Sequence, residues 1–221
     1  VWLSREATSF EAVCHLMLLQ PREVLDLLGE SIRPLPTDHE IVARAYQLMG
    51  NASKAKEVTQ ISMYQHLLAL IGATPAYLLL NADNSNKTEE ILHRALSVAA
   101  IYDLERLHPN TMAQIYFTAA QVYSLQGNIE KSLGMLQKYA DICTRGFFPC
   151  SLHGDSFFDA IDGWFAEFDL GTGAPRNEKV IKESMLQCVL SNPAFATLAE
   201  QPRYKSIIDK LKINIGRNTN G

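Results

Sequence analysis

His153-Gly-Asp155-Ser156 sets an imidazole, a carboxylate and a hydroxyl within four positions. Acyl transfer would need those groups as base, orienting acid and nucleophile in mutual hydrogen-bond reach. Sequence neighbours at the start of a helix rarely meet that geometry. Asp155 is instead expected to accept orphan N–H groups at the head of a helix running from Asp155 to Phe168. Asp155, Asp159 and Asp162, with Glu167 and Asp169 nearby and no Lys or Arg from Asp155 to Asp169, form an acidic cluster. Such carboxylates suit Ca²⁺ or Mg²⁺, but the glycine-punctuated EF-hand order is missing. A solvated acidic face near a helix N-terminus accounts for them.

Cys143, Cys150 and His153 have a spacing that matches no zinc knuckle, and a fourth ligand is not evident. A buried structural cysteine is expected. No histidines form an HExxH or HxH pair. Gly171-Thr-Gly173-Ala-Pro175 is rich in glycine, yet it follows a helix and lacks the P-loop lysine. It reads as a loop between helices. The expectation is therefore no catalytic residue, no metal and no cofactor.

The elements that carry these residues are expected to be helices. Apolar residues make up 47% of the 221 and charged residues 20%, the balance of a chain that builds a core. Lys and Arg total 20 against 24 Asp and Glu, a formal charge of −4, which argues against a face that neutralises nucleic-acid phosphates. Four cysteines and no secretory pattern point to reduced thiols and a cytoplasmic location. An opening at Val1 rather than Met is expected of a piece of something longer. From Val58 to Ala82 there is no acid or base, a span long enough to cross a bilayer. Gln60, Gln65 and His66 interrupt it, and Gly72 to Pro75 breaks it, so two buried helices and no membrane span are expected.

Strand patterning is nearly absent, and helical periodicity is everywhere. Phe157, Ile161, Trp164, Phe165 and Phe168 fall on one helical face, and Ile181, Met185, Cys188 and Val189 on another. Ile91, Leu92, Ala95, Leu96, Ala99 and Tyr102 span a wide apolar arc, as in a helix packed on two sides. Thr37-Asp-His-Glu40 reads as a capping box. Pro21, Pro109 and Pro202 stand where a first-turn proline starts a helix. About ten or more short helices follow, with a disordered tail at 215–221.

Two stretches repeat one pattern. His39-x2-Val42-Ala43-x2-Tyr46-x3-Gly50-x4-Ala55 matches Tyr116-x2-Ala119-Ala120-x2-Tyr123-x3-Gly127-x4-Ser132-x3-Leu136-x2-Tyr139. Small residues let two helices approach, the tyrosine fills a groove, and the glycine makes the turn. The first copy is partial, because Thr59 and Ser62 stand in place of Leu136 and Tyr139. Lys87 to His108 reads as the second helix of a degenerate unit, and Ser9 to Gly29 as a hairpin turning at Gln20-Pro21. This pattern resembles the tetratricopeptide repeat.

Across nearly its whole length the chain also resembles the C-terminal part of bacterial XRE-type helix-turn-helix transcriptional regulators. The likeness rests on residues 23–30 (EVLDLLGE), 52–65 (ASKAKEVTQISMYQ), 152–159 (LHGDSFFD), 169–175 (DLGTGAP) and 192–195 (NPAF). No recognition-helix pattern occurs in this chain, so the resemblance implies DNA contact only through a missing helix-turn-helix. It implies an all-α fold: tetratricopeptide-like helical-hairpin repeats over 1–150 in a right-handed solenoid, with a C-terminal helical cap over 151–214 packed on the last hairpin. It also implies a non-catalytic regulatory domain that takes a peptide or protein segment in a concave groove, with a homodimer open. A free-standing scaffold using the same groove is the alternative, and an enzyme centred on His153 and Asp155 is a distant third. From the repeat register, the groove side falls to Glu40, Arg44 and Gln47 in one unit and Gln114, Phe117, Gln121 and Ser124 in the other.

Overall fold

Prolines, asparagine caps and glycine turns divide the sequence into short helices, and the computed structural model follows that punctuation. It describes residues 2–28, 38–145, 148, 151–167 and 176–216. These hold α1 (Trp2–Met17), α2 (Pro21–Leu28), α3 (Asp38–Leu48), α4 (Ala52–Gly72), α5 (Thr74–Leu79) and α6 (Ser85–Ile101). There follow α7 (Leu104–Leu107), α8 (Pro109–Leu125), α9 (Ile129–Thr144), α10 (Asp162–Ala166), α11 (Glu178–Leu190), a 3-10 segment (Pro193–Leu198) and α12 (Pro202–Gly216). No β-strand occurs among the described residues, so the fold is all-α. Pro21, Pro109 and Pro202 each open a helix, where the missing N–H is not needed. No helix among them is long and apolar enough to cross a membrane; the uncharged stretch divides at Ala73 into α4 and α5.

The chain divides into two compact units, Val1–Ile41 and Val42–Gly221. In the first, α1 and α2 pack on each other and Ala12 is buried. Their connection puts Leu19 at φ 57°, with the Gln20 N–H donating to the His15 carbonyl. Helices often end on such a left-handed residue, and glycine usually fills it; here leucine does.

In the second unit α8 is the hub. Met112, Ile115, Tyr116, Ala119, Ala120, Val122 and Tyr123 are all buried. α9 lies closely along it, and the buried Ser132 hydroxyl donates to the Ala120 carbonyl at 2.8 Å. Small side chains at the contact allow that approach. α5 and the 3-10 segment also rest on α8, while α12 packs on α9 and α11.

Gly50 (φ 76°) and Gly127 (φ 74°) end α3 and α8 with one hydrogen-bond pattern. Gly50 donates to Gln47 and Asn51 to Tyr46, while Gly127 donates to Ser124 and Asn128 to Tyr123. Each asparagine then caps the next helix, accepting from the N–H of Lys54 or Lys131. The turns match; the packing does not, because α3 makes little contact along α4.

The expected helix from Asp155 to Phe168 is corrected by the structure. Residues 152–161 are irregular, and helix is confined to Asp162–Ala166. The Asp155 carboxylate does accept two N–H groups, from Phe157 and Phe158, but these close a tight turn rather than start a long helix. Gly154 packs against the Phe158 carbonyl so closely that a Cβ there would lie 2.0 Å from its oxygen. Phe157 is thereby left exposed, while Phe158, Ile161 and Phe165 are buried. In α11 the buried face is Lys182, Leu186 and Val189, and Cys188 is exposed. Thr37, Cys150, Phe168, the glycine-rich stretch 171–175 and positions 217–221 lie outside the described residues.

Candidate functional site

The two sets of residues assigned to a groove have different surroundings. On α8, Gln114 is exposed and Gln121 half-buried. Phe117 stacks against Tyr139 (centroids 5.5 Å apart) and meets Phe195 edge-on at 5.6 Å. The Ser124 hydroxyl donates to the Ala194 carbonyl at 2.6 Å. The 3-10 segment therefore occupies the Phe117–Ser124 part of this face. On α3, Glu40, Arg44 and Gln47 are exposed, and Arg44 donates to the Gln47 amide oxygen at 3.2 Å. No hydrogen bond or ion pair joins the two sets among the described residues.

A better-formed concavity lies elsewhere. α4, α5 and α6 enclose a cleft of about 470 Å³, within the range of small-molecule and peptide side-chain pockets. Ile71, Thr74, Ile91 and Ala95 form its buried floor, and the exposed Leu70 and Tyr77 stand on its wall. Its rim carries Lys87, Glu90 and Arg94, spaced along one side of α6. Glu90 holds both cations, Lys87 at 2.9 Å and Arg94 at 2.8 Å. The hydrogen bond from Lys87 keeps the Glu90 carboxyl below its usual range. One carboxylate against two cations leaves the rim with a net positive charge.

Among the described residues no hydrogen bond joins His153 to Asp155 or Ser156. His153 is exposed and bonds the adjacent Gly154 carbonyl at 2.8 Å, while Asp155 is taken up by the turn. The acidic cluster is engaged in structure as well. Asp162 accepts from the Gly154 N–H, and Asp159 pairs with Lys56 at 2.7 Å. Buried Gln60 of α4 binds the same segment three ways. It donates to the Phe157 carbonyl (3.0 Å) and to Asp159 (2.7 Å), and accepts from the Ala160 N–H (2.8 Å). Tyr64, one turn on, meets Phe158, Phe165 and Trp164 edge-on at 5.6, 5.4 and 6.1 Å. Residues 157–165 are thus pinned to α4.

Among the described residues no group of three or more His, Cys, Asp and Glu is arranged to hold a metal. Cys143 is buried, and burial pushes its thiol up to about 12, which keeps it protonated and unreactive at neutral pH. His108 caps α8, its ring nitrogen accepting from the Thr111 N–H, and burial lowers its pKa. These groups serve the fold.

No protein-family model, curated protein or solved structure matches this chain.

Sequence reading placed no site residue in the α4–α6 cleft. Its signals were present: the uncharged run from Val58 to Ala82 and the over-wide apolar arc of α6. Both read as burial, because periodicity cannot tell an apolar residue facing a core from one facing an open cleft.

Proposed function

We propose that this chain is a non-catalytic regulatory module that binds a peptide or protein segment, as the sensing or oligomerising part of a bacterial XRE-type transcriptional regulator. The cleft between α4, α5 and α6 carries this reading. Its apolar floor and exposed Leu70 and Tyr77 suit apolar side chains, and the cationic rim suits a neighbouring carboxylate. An amphipathic segment can supply both. Support for the tetratricopeptide-like architecture comes from the matched Gly-Asn turns and the close α8–α9 hairpin. The open part of the α8 face, Gln114 and Gln121, is a second contact line for a longer segment, with Arg44 as a partner for a carboxylate.

The test is fluorescence polarisation with labelled leucine-rich peptides bearing one aspartate, on the intact chain and on two variants. Leu70→Asp with Tyr77→Ala should abolish binding while the unfolding free energy from urea melts stays within about 0.5 kcal/mol, as for exposed positions. Arg44→Ala with Gln121→Ala should weaken it less. The reverse order would move the site to the α8 face, and no binding by the intact chain would sink the proposal.

A further inference from the structure

We propose that the α4–α6 cleft receives an amphipathic α-helix of another protein, one with acid, base and acid on successive turns beside its apolar stripe. This rests on the reading of the cleft as a binding site and specifies what enters it. α6 borders the cleft from Lys87 to Val98, about 16 Å at helical rise. The end of α4 (Leu70, Ile71) and α5 (Thr74, Tyr77) form the other side. A trough of that length between helices takes about three turns of an added one.

Backbone chemistry selects helix over strand. The described lining contains no Asn or Gln, and its neutral polar side chains are those of Thr74 and Tyr77. The main chain around it bonds within its own helices. At the α4–α5 junction the Ala73 N–H donates to the Ala69 carbonyl, and the Ala73 carbonyl accepts from Tyr77. An extended segment laid here would bury amides with little to receive them, and each unpaired group opposes binding. A helix brings those bonds with it and presents only side chains. Leucine-sized groups at i, i+3 or i+4, and i+7 then meet the floor of Ile71, Ile91 and Ala95.

Charge fixes the register. Lys87, Glu90 and Arg94 stand on successive turns of α6, so the rim reads plus, minus, plus over about 10 Å. Glu90 holds both cations, yet the side chains of Lys87, Glu90 and Arg94 stay 35%, 44% and 77% exposed, open to a second partner. A helix edge reading acid, base, acid meets each in turn, as flanking charges do between coiled-coil strands. The inverse pattern opposes like charges. Rim pairs of this kind give selectivity more than affinity.

The experiment uses the full chain and synthetic peptides of about 14 residues, or four turns. The first has a leucine stripe edged by Glu, Lys and Glu and is stapled as a helix on its outer face. The second replaces a central residue with proline, without the staple, and the third is the stapled helix edged by Lys, Glu and Lys. Fluorescence anisotropy should show micromolar binding of the first. Proline should weaken it at least about 100-fold, the fold-change to which its helix-interior penalty converts. Inverted charges should weaken it about 5- to 10-fold, as three exposed pairs would. Lys87→Glu, Glu90→Lys and Arg94→Glu made together should reverse the preference between the two charge patterns, and Leu70→Asp should abolish binding of both. On the native chain, NMR of an isotope-labelled, unstapled first peptide should show helical contacts when bound, a readout that needs no variant to fold. A proline peptide that binds equally, or a bound peptide that is extended, overturns the proposal and leaves the cleft a site for an extended segment. Equal affinity for both charge patterns overturns it too, as does helix binding that survives Leu70→Asp. A dimer that Leu70→Asp dissociates also overturns it, because a second copy then fills the cleft. If no peptide binds, helical or extended, the reading of the cleft falls with it.

Discussion

At Gly50-Asn51 and at Gly127-Asn128 the backbone reverses through the same left-handed glycine and the same asparagine cap, yet only the second pair of helices closes along its length. The sequences diverge after the turn. Ala55 and Ser132 are both small and buried, but Leu133, Leu136 and Tyr139 of α9 correspond to Lys56, Thr59 and Ser62 of α4. α9 thus offers α8 a continuous apolar face. α4 has polar groups there and buries Gln60, Tyr64, Leu67 and Ile71 instead, with Gln60 and Tyr64 held against the 157–165 segment. Turn chemistry sets where a helix stops and the next starts; the residues one and two turns later decide whether the two helices pack.

The sharpest way to break this comparison is to empty the apolar face. Leu136→Ala removes a fully buried side chain and should cost about 2–5 kcal/mol in urea unfolding. Thr59→Ala, at the matching position, should stay within about 1 kcal/mol, because Thr59 is exposed and its hydroxyl only bonds back to the Ala55 carbonyl. Equal losses at the two positions would show that α3 and α4 close as α8 and α9 do.

A smaller effect comes from the glycines. Alanine in a left-handed conformation costs roughly 1–2 kcal/mol. Gly127→Ala should lower the global unfolding free energy by that amount, because α8 and α9 belong to one core. Gly50→Ala strains the end of a helix that packs little on its neighbour, so its cost should appear as faster amide exchange in α3 with a smaller shift of the urea midpoint.

The smallest effect distinguishes how the first helix of the second hairpin begins. His108 caps α8 as the neutral imidazole, and burial holds its folded pKa below the ordinary 6.5. Below pH 6.5 the unfolded chain therefore binds the proton first. The stability this residue contributes is present above that pH and is lost as pH falls through the folded pKa. Melting midpoints should decline over that window, and His108→Asn, which keeps a capping oxygen, should flatten the slope. An unchanged slope would place the titrating group elsewhere.

Much of the architecture was legible. Pro21, Pro109 and Pro202, the Gly-Asn turns and the break after Gly72 all mark helix boundaries that the structure shares, because each acts through local backbone geometry. The stretch after Asp155 was not legible. Its aromatics fit a helical face, but Asp155 spends its carboxylate on a tight turn, Gly154 fits under a carbonyl, and the anchoring comes from Gln60, Lys56 and Tyr64 far earlier in the chain. No local pattern encodes a hydrogen bond across that distance. The repeat alignment put Phe117 and Ser124 on one face but gave no sign that Phe195 and Ala194 would come to lie against them.

The Gln60 clamp also has a consequence in time. Its partners lie up to 100 residues downstream, at Ala160. At ribosomal rates of roughly 5–20 residues per second, α4 leaves the synthesis site about 5–20 s before the segment that binds it exists. During that interval the carboxamide of Gln60 and the side of the Tyr64 ring that meets Phe158, Trp164 and Phe165 face water or a chaperone rather than a core. The second unit is therefore finished from its C-terminal side, and a nascent chain stopped before Phe157 carries an open, sticky α4. A pause or truncation there would produce a helical but unsealed chain, with aggregation as its natural fate.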